Sequence, residues 1–355
     1  MALTDLLKGI GVFAVVVVVV VAATAAAGTL LSGSSTDGSV DGPAYDDQLL
    51  PAAVEDGGTV GVPDGDTTKT VVIDKSHGNA LGESEMQPFV DALVRDGHDV
   101  QFYTGGSGNG FSAGVSGGSS GLNATLRSAD AFVVANPASS YTTEEINGID
   151  AFAEGGGRVL LLADPVDPST GGQSIGIPNP LGTNTGNTVT PGQPTNLAAN
   201  FGVSFGAGYL FDMTDNANNF QRVYAQPSGG SLTEGVDRLV FEDATPLATS
   251  AAGTPVAESQ DVMLSSTRRG ATYTVAARTG NVVTVGDTNF LEPSSATVAD
   301  NEAFLTNLAE FLVNGDKEPG VPEPAGPSTG AGSGGFGGPT QPGTPPAIPG
   351  NGTSP

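Results

Sequence analysis

The sequence contains no cysteine and no tryptophan, and it has two histidines, His77 and His98. The absence of cysteine excludes disulfide bonds, zinc–thiolate sites, thiol nucleophiles and lipid attachment through a cysteine. Two histidines are too few to build a multi-histidine metal centre. We therefore assign no cofactor and no metal site built from cysteine or histidine.

Basic residues are also scarce, since 12 Lys and Arg stand against 38 Asp and Glu, for a formal net charge of −26. The acidic residues are spread along the chain and do not form one tail. Such an excess keeps a surface hydrated, and salt at 1 M screens its repulsion beyond about 3 Å. A halophilic source is the simplest explanation. Nothing resembles the basic stripe of a nucleic-acid-binding protein, so we expect no nucleic-acid partner.

One long hydrophobic run stands near the start of the chain. Residues 9–31 carry no charge, and as a helix they would extend roughly 35 Å, enough for a hydrocarbon core of about 30 Å. Lys8 precedes the run, and the next basic residue is Lys69. The positive-inside rule therefore predicts a cytoplasmic segment 1–8, a single-pass anchor in the cell membrane and an extracellular main domain.

A cleaved signal peptide is the alternative interpretation of this run. Ala25, Ala26 and Ala27 before Gly28 fit a small-residue cleavage site. Both interpretations export the rest of the chain, and they differ in whether the domain stays tethered.

Composition divides the remainder into three parts. Residues 32–68 are rich in Gly, Ser, Asp and Pro and predict a flexible stalk, while residues 316–355 predict a disordered Gly/Pro-rich tail. Residues 69–315 are long enough for one domain. Two glycosylation sequons begin at Asn123 and Asn351.

The domain alternates between short apolar runs and helical patterns. Buried strands are predicted at residues 70–74, 99–103, 131–135, 158–163 and 281–286. Helices are predicted at 83–95, at 142–154 behind a Thr142–Glu145 capping box, and at 300–313. Uniformly apolar strands that alternate with helices predict a mostly parallel sheet in a three-layer α/β domain.

The middle of the domain is less regular. Residues 104–121 predict a Gly/Ser loop, and residues 201–213 suggest a hairpin. Further strands are expected at 236–242, 262–267 and 272–277, antiparallel at one edge of the sheet.

Several segments, in this order, carry a resemblance to a known family: Asp74–Asn79, Leu126–Pro137, Tyr141–Ile146, Phe152–Asp164, Gly280–Leu291 and Asp300–Leu308. Over roughly residues 70–313 the chain resembles the family called domain of unknown function 4350, of haloarchaeal type. The resemblance implies a flavodoxin-like fold, similar to class I glutamine amidotransferases and to auxiliary domains of gliding-motility ABC transporters. It also implies association with ATPase and von Willebrand-like membrane modules.

The resemblance does not imply amidotransferase chemistry, which needs a cysteine thiolate at a strand-to-helix elbow and a histidine base. The elbow after the third strand is Asn136–Pro137, and neither side chain is a nucleophile.

Candidate ligand-binding residues follow the strands, because ligands of parallel sheets bind outside the carboxyl ends of the strands. They are Asp74, Ser76, His77, Asn79, Asn136, Asp164, Asp287 and Asn289. Three interpretations stay open: a polar cleft for a small ligand, a hard cation held by Asp74, Asp164 and Asp287, or structural side chains that cap helices and fix loops.

The sequence thus favours a membrane-anchored, extracytoplasmic, non-catalytic binding or scaffold domain, an auxiliary part of a membrane complex with membrane-protein partners. The alternative is an exported hydrolase or carbohydrate-acting enzyme that uses His77 with Asp74 or Asp287. The alternative requires these side chains within hydrogen-bonding reach in an open cleft. A third hypothesis is a structural component of the cell surface, attached through the Gly/Pro tail.

Overall fold

The computed structural model describes residues 54–62, 67–105, 119–166 and 192–323. The hydrophobic run at 9–31, most of the predicted stalk and most of the predicted tail lie outside these residues. Within them, no helix has the length and apolar character needed to cross a membrane.

The described residues form one mixed sheet of 12 strands. In chain order the strands are β1 Thr70–Asp74, β2 Asp99–Tyr103, β3 Ala131–Ala135, β4 Arg158–Leu162, β5 Val203–Phe205, β6 Leu210–Phe211, β7 Arg222–Pro227, β8 Leu239–Glu242, β9 Leu247–Thr249, β10 Thr254–Leu264, β11 Arg269–Thr279 and β12 Val282–Val285.

Helices cover both faces of the sheet. The α-helices of the described segments are α1 Gln87–Arg95, α2 Ser119–Leu126, α3 Thr143–Glu154, α4 Thr195–Asn200 and α5 Asn301–Val313.

The sheet has a parallel part and an antiparallel part that meet at β12. The order β2-β1-β3-β4-β12 is parallel throughout, and helices cross over between β1 and β2, β2 and β3, and β3 and β4. β12 then pairs antiparallel with β11 across a two-residue turn, Gly280–Asn281, in which Gly280 has a φ of 58°. A turn this short can connect only antiparallel strands, so the direction changes here.

Side chains of the parallel strands are buried on both faces. On β1, Val71 and Ile73 pack in the same core as α1 and α5, whereas Val72 packs with α2 and α3 on the other face. This arrangement confirms the three-layer α/β prediction, with a parallel central sheet between two helical layers.

The two best-marked helices agree closely with the sequence prediction. The Thr142 side chain accepts a hydrogen bond from the Glu145 amide and the Glu145 carboxylate accepts one from the Thr142 amide, which completes the capping box of α3. In α5 the predicted apolar face is buried, with Phe304 and Leu308 inaccessible to solvent.

The less regular segments differ from the prediction. The expected hairpin at 201–213 is wrong, because β5 pairs with β9 and β6 pairs with β10. Helix α2 begins within the predicted 104–121 loop, and β7 and β9 were not predicted. These elements are short or poor in apolar residues, and their strands pair with distant partners, so a local pattern does not reveal them.

The packed unit extends beyond the predicted 69–315 boundaries at both ends. Within the predicted stalk, Val60 is buried in the core, and the Ala299 amide donates to the Glu55 carbonyl at 2.7 Å. After residue 315, the Lys317 ammonium donates to the Arg127 carbonyl at 3.0 Å. The composition of the segments before residue 69 and after residue 315 did not indicate the burial of Val60 or the hydrogen bonds of Lys317.

Candidate functional site

The carboxyl ends of β1, β3, β4 and β12 lie at one edge of the sheet because these strands are parallel. Asp74 is the last residue of β1 and the other seven predicted site residues come after the ends of these strands. The structure divides them into separate hydrogen-bonded groups. The first group surrounds His77, and the others surround Asp164 and Asp287.

The first group, the His77 clasp, consists of Asp74, Ser76, His77, Tyr141 and Glu145. The His77 Nδ1 lies 2.7 Å from the Asp74 carboxylate, which also accepts hydrogen bonds from the Tyr141 hydroxyl at 2.5 Å and the Ser76 hydroxyl at 2.7 Å. The Tyr141 ring stacks on the imidazole with centroids 3.8 Å apart. The clasp therefore joins the end of β1 to the start of α3.

Electrostatics within the clasp favour an ion pair. Burial disfavours the charged form of Asp74, but hydrogen bonds from His77, Tyr141 and Ser76 prevail and lower its pKa. Burial likewise opposes protonation of His77, but the hydrogen bond and charge of Asp74, with the charge of Glu145, prevail and raise its pKa. Burial and the Asp74 charge raise the pKa of Tyr141 well above its usual value.

The clasp lacks the geometry of a nucleophile–base pair. The His77 Nε2 faces the Glu145 carboxylate at 3.5 Å, and that carboxylate also accepts hydrogen bonds from the Thr142 amide and hydroxyl at 2.8 Å. The Ser76 hydroxyl lies on the Nδ1 side and donates to Asp74. A serine nucleophile would have to face the nitrogen opposite the carboxylate, so this is not a Ser-His-Asp arrangement.

Backbone contacts hold the clasp against the end of β3. The His77 carbonyl accepts hydrogen bonds from the Ala138 amide at 2.9 Å and the Ser139 amide at 3.1 Å. The predicted residue Asn79 donates from its amide group to the Ala135 carbonyl at 2.9 Å. In these contacts His77 and Asn79 hold the loop after β1 in place.

The second group joins the ends of β3, β4 and β12. Asn136, with a φ of 44°, accepts a hydrogen bond from the Asp164 amide at 2.8 Å and donates to the Asp164 carboxylate. The Thr288 amide and hydroxyl donate to the same carboxylate at 2.7 and 2.6 Å. Asparagine tolerates the left-handed conformation better than most residues, which explains its presence at this elbow.

The third group joins β8 to β12. Asp287 is fully buried and accepts hydrogen bonds from the Glu242 amide at 2.9 Å and the Asn289 amide at 2.7 Å. The Asn289 side chain donates to the Glu242 carbonyl at 2.9 Å. Burial, followed by the charge of Asp164, raises the pKa of Asp287 well above its usual value.

Among the described residues, no group of three or more His, Asp and Glu is placed to hold a metal ion. The hypothetical cation site of Asp74, Asp164 and Asp287 is therefore not assembled. Asp74 belongs to the His77 clasp, and Asp287 serves the β8–β12 connection.

A cleft of about 520 Å³ opens beside the second and third groups. Its lining comes from both parts of the sheet: Asp164, Pro165, Val166, Gly208, Tyr209, Asp243, Ser265 and Asn289. Asp164 and Asn289 were predicted as site residues, whereas the others were not. Tyr209, Asp243 and Ser265 lie near antiparallel strands whose pairing the sequence did not indicate.

Burial and the neighbouring charges of Glu242 and Asp164 raise the pKa of Asp243. Asp243 has a φ of 56°, and its carboxylate accepts a hydrogen bond from the Gln221 amide group. The Asp243 carboxylate is thus fixed at the cleft by its position directly after β8 and by Gln221, which directly precedes β7.

Of the two glycosylation sequons, only the one at Asn123 lies within the described residues. Asn123 is 6% exposed, and its amide group packs so closely on Gly148 that a Cβ there would overlap it. A glycan is bulky and needs a surface position, so the structure disfavours Asn123 as an acceptor. Asn351 lies outside the described residues.

Comparison with known proteins finds similarity in structure and none in sequence. No protein-family model matches the sequence, and no curated protein is significantly similar to it. The mmIFT52 N-terminal domain is similar in structure, with a TM-score of 0.50 and 10% identity over 70% of this chain and 99% of that domain. A glutamine amidotransferase from Thermotoga maritima matches with a TM-score of 0.37 and 11% identity, over 69% of this chain and 97% of the enzyme.

Proposed function

We propose that this chain is a non-catalytic binding domain that takes a small polar ligand in the cleft between the parallel and antiparallel parts of its sheet. The observation that carries the proposal is the cleft itself. Its volume of about 520 Å³ falls within the range of about 300–1,000 Å³ typical of ligand pockets. It lies outside the carboxyl ends of β4 and β12, where ligands of parallel sheets bind.

The charge of the cleft indicates the kind of ligand. Asp164 and Asp243 contribute carboxylates, and its described lining contains no lysine or arginine. Tyr209, Ser265 and Asn289 add hydrogen-bonding groups. A ligand that is cationic or rich in hydrogen-bond donors would match this lining better than an anion.

A pair of conservative variants tests the proposal. Asp243→Asn removes the charge without changing size, and Asn tolerates the positive φ of 56° at this position. Asp261→Asn is the matched control, because Asp261 has a φ of 55°, is exposed on β10 and is not among the residues that line the cleft.

The full-length chain and both variants would be dialysed at high salt against the small-molecule fraction of source cells, and retained compounds identified by mass spectrometry. We expect a compound retained by the unmodified chain and by Asp261→Asn, and depleted in Asp243→Asn. Equal retention by all three proteins would contradict a ligand site in this cleft.

We also propose a cellular location and a membrane attachment for this domain. The uncharged run at 9–31 supports a single-pass membrane anchor with residues 1–8 in the cytoplasm and the domain outside, where it would serve as an auxiliary part of a membrane complex. The acidic composition supports a high-salt environment, and the order of the quoted segments supports membership in the domain of unknown function 4350 family. An N-terminal sequence of the mature protein that begins at Gly28 would replace the anchor with a cleaved signal peptide.

The exported hydrolase has one observation in its favour, the 2.7 Å contact between His77 and Asp74. Against it, His77 is 7% exposed, its Nε2 faces Glu145, and Asp287 is engaged elsewhere. Residue His77 would have to leave the clasp to act as a base. The measurement is ester and glycoside hydrolysis by the full-length chain, and activity lost in His77→Gln with folding intact would favour this function.

A further inference from the structure

Basic residues are concentrated at the amino edge of the parallel strands, opposite the cleft. Five of the chain's 12 Lys and Arg residues lie there: Lys69, Arg127, Arg158, Arg278 and Lys317. Lys69 precedes β1, Arg158 begins β4, and Arg278 pairs with Val283 near the start of β12. The chain has a net charge of −26, so five of its 12 basic residues at one edge of the sheet is a concentration, although Asp130 and Asp316 lie at the same edge.

Two of these residues have structural partners. The Lys69 ammonium donates to the Gly315 carbonyl at 2.9 Å and lies 3.5 Å from the Asp130 carboxylate. The Lys317 ammonium donates to the carbonyls of Arg127 and Val321 at 3.0 and 3.1 Å. Both lysines fasten the segment after α5 to the sheet edge, and their charges are committed there.

Arg158 and Arg278 are different, because their guanidinium groups share the Phe311 ring. Their Cζ atoms lie 4.9 and 5.1 Å from the ring centroid. Arg158 donates to the Asn281 side chain and Arg278 donates to the Gly280 carbonyl at 2.8 Å. Within the described residues neither has a carboxylate within 4.0 Å, and Nη2 of Arg158 and both Nη atoms of Arg278 have no hydrogen-bond partner.

The helix dipole accounts for part of this arrangement. Cations near a helix C-terminus are stabilised by about 0.3–1 kcal/mol, and α5 ends at Val313 close to Arg158. Two like charges on one ring repel each other, however, and Arg278 lowers the pKa of Arg158 after the effect of burial, with Asp316 opposing. A dipole attracts each cation, and the charge of Asp316 acts on Arg158, but neither effect explains why two guanidinium groups share one ring with no carboxylate within 4.0 Å of either among the described residues.

We propose that the Arg158–Arg278 pair binds a phosphate-type oxyanion, held between the free guanidinium N–H groups. The planar guanidinium fork matches tetrahedral oxyanions. Because each Cζ lies about 5 Å from the same ring centroid, the two guanidinium carbons are within about 10 Å of each other. Salt near 1 M removes attraction beyond about 3 Å, so this site acts through direct hydrogen bonds and not through long-range charge. The phosphate belongs either to a free ion or to a lipid headgroup.

The test compares Arg278→Gln with Arg238→Gln. Arg238 is a matched control because it is an exposed arginine whose Cζ lies 4.2 Å from the centroid of the Tyr224 ring. It directly precedes β8, and Tyr224 lies on β7; β10 separates these two strands from β11 in the sheet. The full-length chain in detergent micelles would be titrated with potassium phosphate at constant ionic strength and followed by thermal unfolding. In a second arm, nanodiscs of phosphatidylglycerol or phosphatidylcholine would be compared by hydrogen exchange at residues 278–282 and 314–318.

We expect phosphate to raise the melting temperature, or phosphatidylglycerol to protect these residues. Arg278→Gln should weaken the effect about tenfold or more, as expected for the loss of charged hydrogen bonds, and Arg238→Gln should leave it unchanged. A response to inorganic phosphate identifies a free ion, and a response confined to phosphatidylglycerol nanodiscs identifies a headgroup. No response in either arm, or equal losses in the two variants, overturns the proposal.

Discussion

Replacing His77 with alanine is expected to destabilise the domain by about 3 kcal/mol. Removal of one partner of a buried ion pair costs about 3–5 kcal/mol when the other charge is left uncompensated. Asp74 is 1% exposed but keeps the hydroxyl groups of Tyr141 and Ser76, so the loss should fall at the low end. Loss of the stacked Tyr141 contact is included in this figure, at about 0.5–1.5 kcal/mol.

The stabilisation by His77 should depend on pH in a defined direction. The pKa of His77 is raised in the folded state, so its contribution is fully present below the ordinary value of 6.5 and declines as pH rises through the folded value. The pKa of Asp74 is lowered, so its contribution is present above 3.8 and declines as pH falls through its folded value. The difference in the free energy of unfolding between the unmodified chain and His77→Ala should therefore be largest between pH 3.8 and pH 6.5. It should become smaller in alkaline solution.

Urea denaturation at constant high salt, followed by far-UV circular dichroism, measures this difference, because the chain lacks tryptophan as a fluorescent reporter. Urea keeps ionic strength fixed, which guanidinium chloride does not. Glu145→Gln is the control: glutamine preserves the capping box with Thr142 but removes the charge that faces His77 Nε2. In Glu145→Gln the contribution of His77 to the free energy of unfolding should decline at a lower pH than in the unmodified chain. Little stability should be lost at acidic pH.

A loss below about 1 kcal/mol in His77→Ala would place this contact in the range of exposed ion pairs and refute the clasp as a buried one. A difference that stays constant from acidic to alkaline pH would show that the His77 charge does not contribute.

Three further predictions follow from packing. Phe304→Ala should cost about 3–5 kcal/mol in urea denaturation, because Phe304 is inaccessible and packs on Phe241 and Phe290 with centroids 6.2 and 5.7 Å away. Gly148→Ala should destabilise by about 1–3 kcal/mol despite alanine's helix propensity, because its Cβ would overlap Asn123, and Asn123→Ala should recover much of the loss. Peptide mass spectrometry should find Asn123 without a glycan, since its side chain is buried, and a glycan there would show that α2 is not packed as described.

The parallel part of the fold was predictable because its signals are local. Each of its strands is a short apolar run, and the helices between them carry caps or amphipathic faces, as at Thr142–Glu145. The antiparallel part was largely not predictable, since β5 pairs with β9 more than 40 residues along the chain and β10 bends through register shifts. Period and propensity do not specify such distant partners.

The same division applies to the site. The position of Asp74, His77 and Asp164 at one edge of the sheet could be predicted, because parallel strands place their carboxyl ends together. Their role in binding a ligand stays a prediction. Their partners could not be predicted, because Tyr141 and Glu145 look like a helix cap and Asp243 follows an antiparallel strand. The sequence also did not indicate how these residues are grouped. Seven of the eight predicted residues divide among three hydrogen-bonded groups, and Asn79 instead donates to the Ala135 carbonyl.

The His77 clasp and the group around Asp164 are nevertheless connected through Asn136. Its carbonyl accepts a hydrogen bond from Ala80 just after the clasp, and its side chain holds Asp164, which lines the cleft. Loss of the clasp should therefore loosen the position of Asp164 without removing any group from the cleft. We expect His77→Ala to weaken retention of the cleft ligand, and Asp243→Asn to leave the pH dependence of stability from His77 unchanged. Retention that is unaffected in a folded His77→Ala protein would mean that the clasp fixes β1 to α3 and has no influence on the cleft.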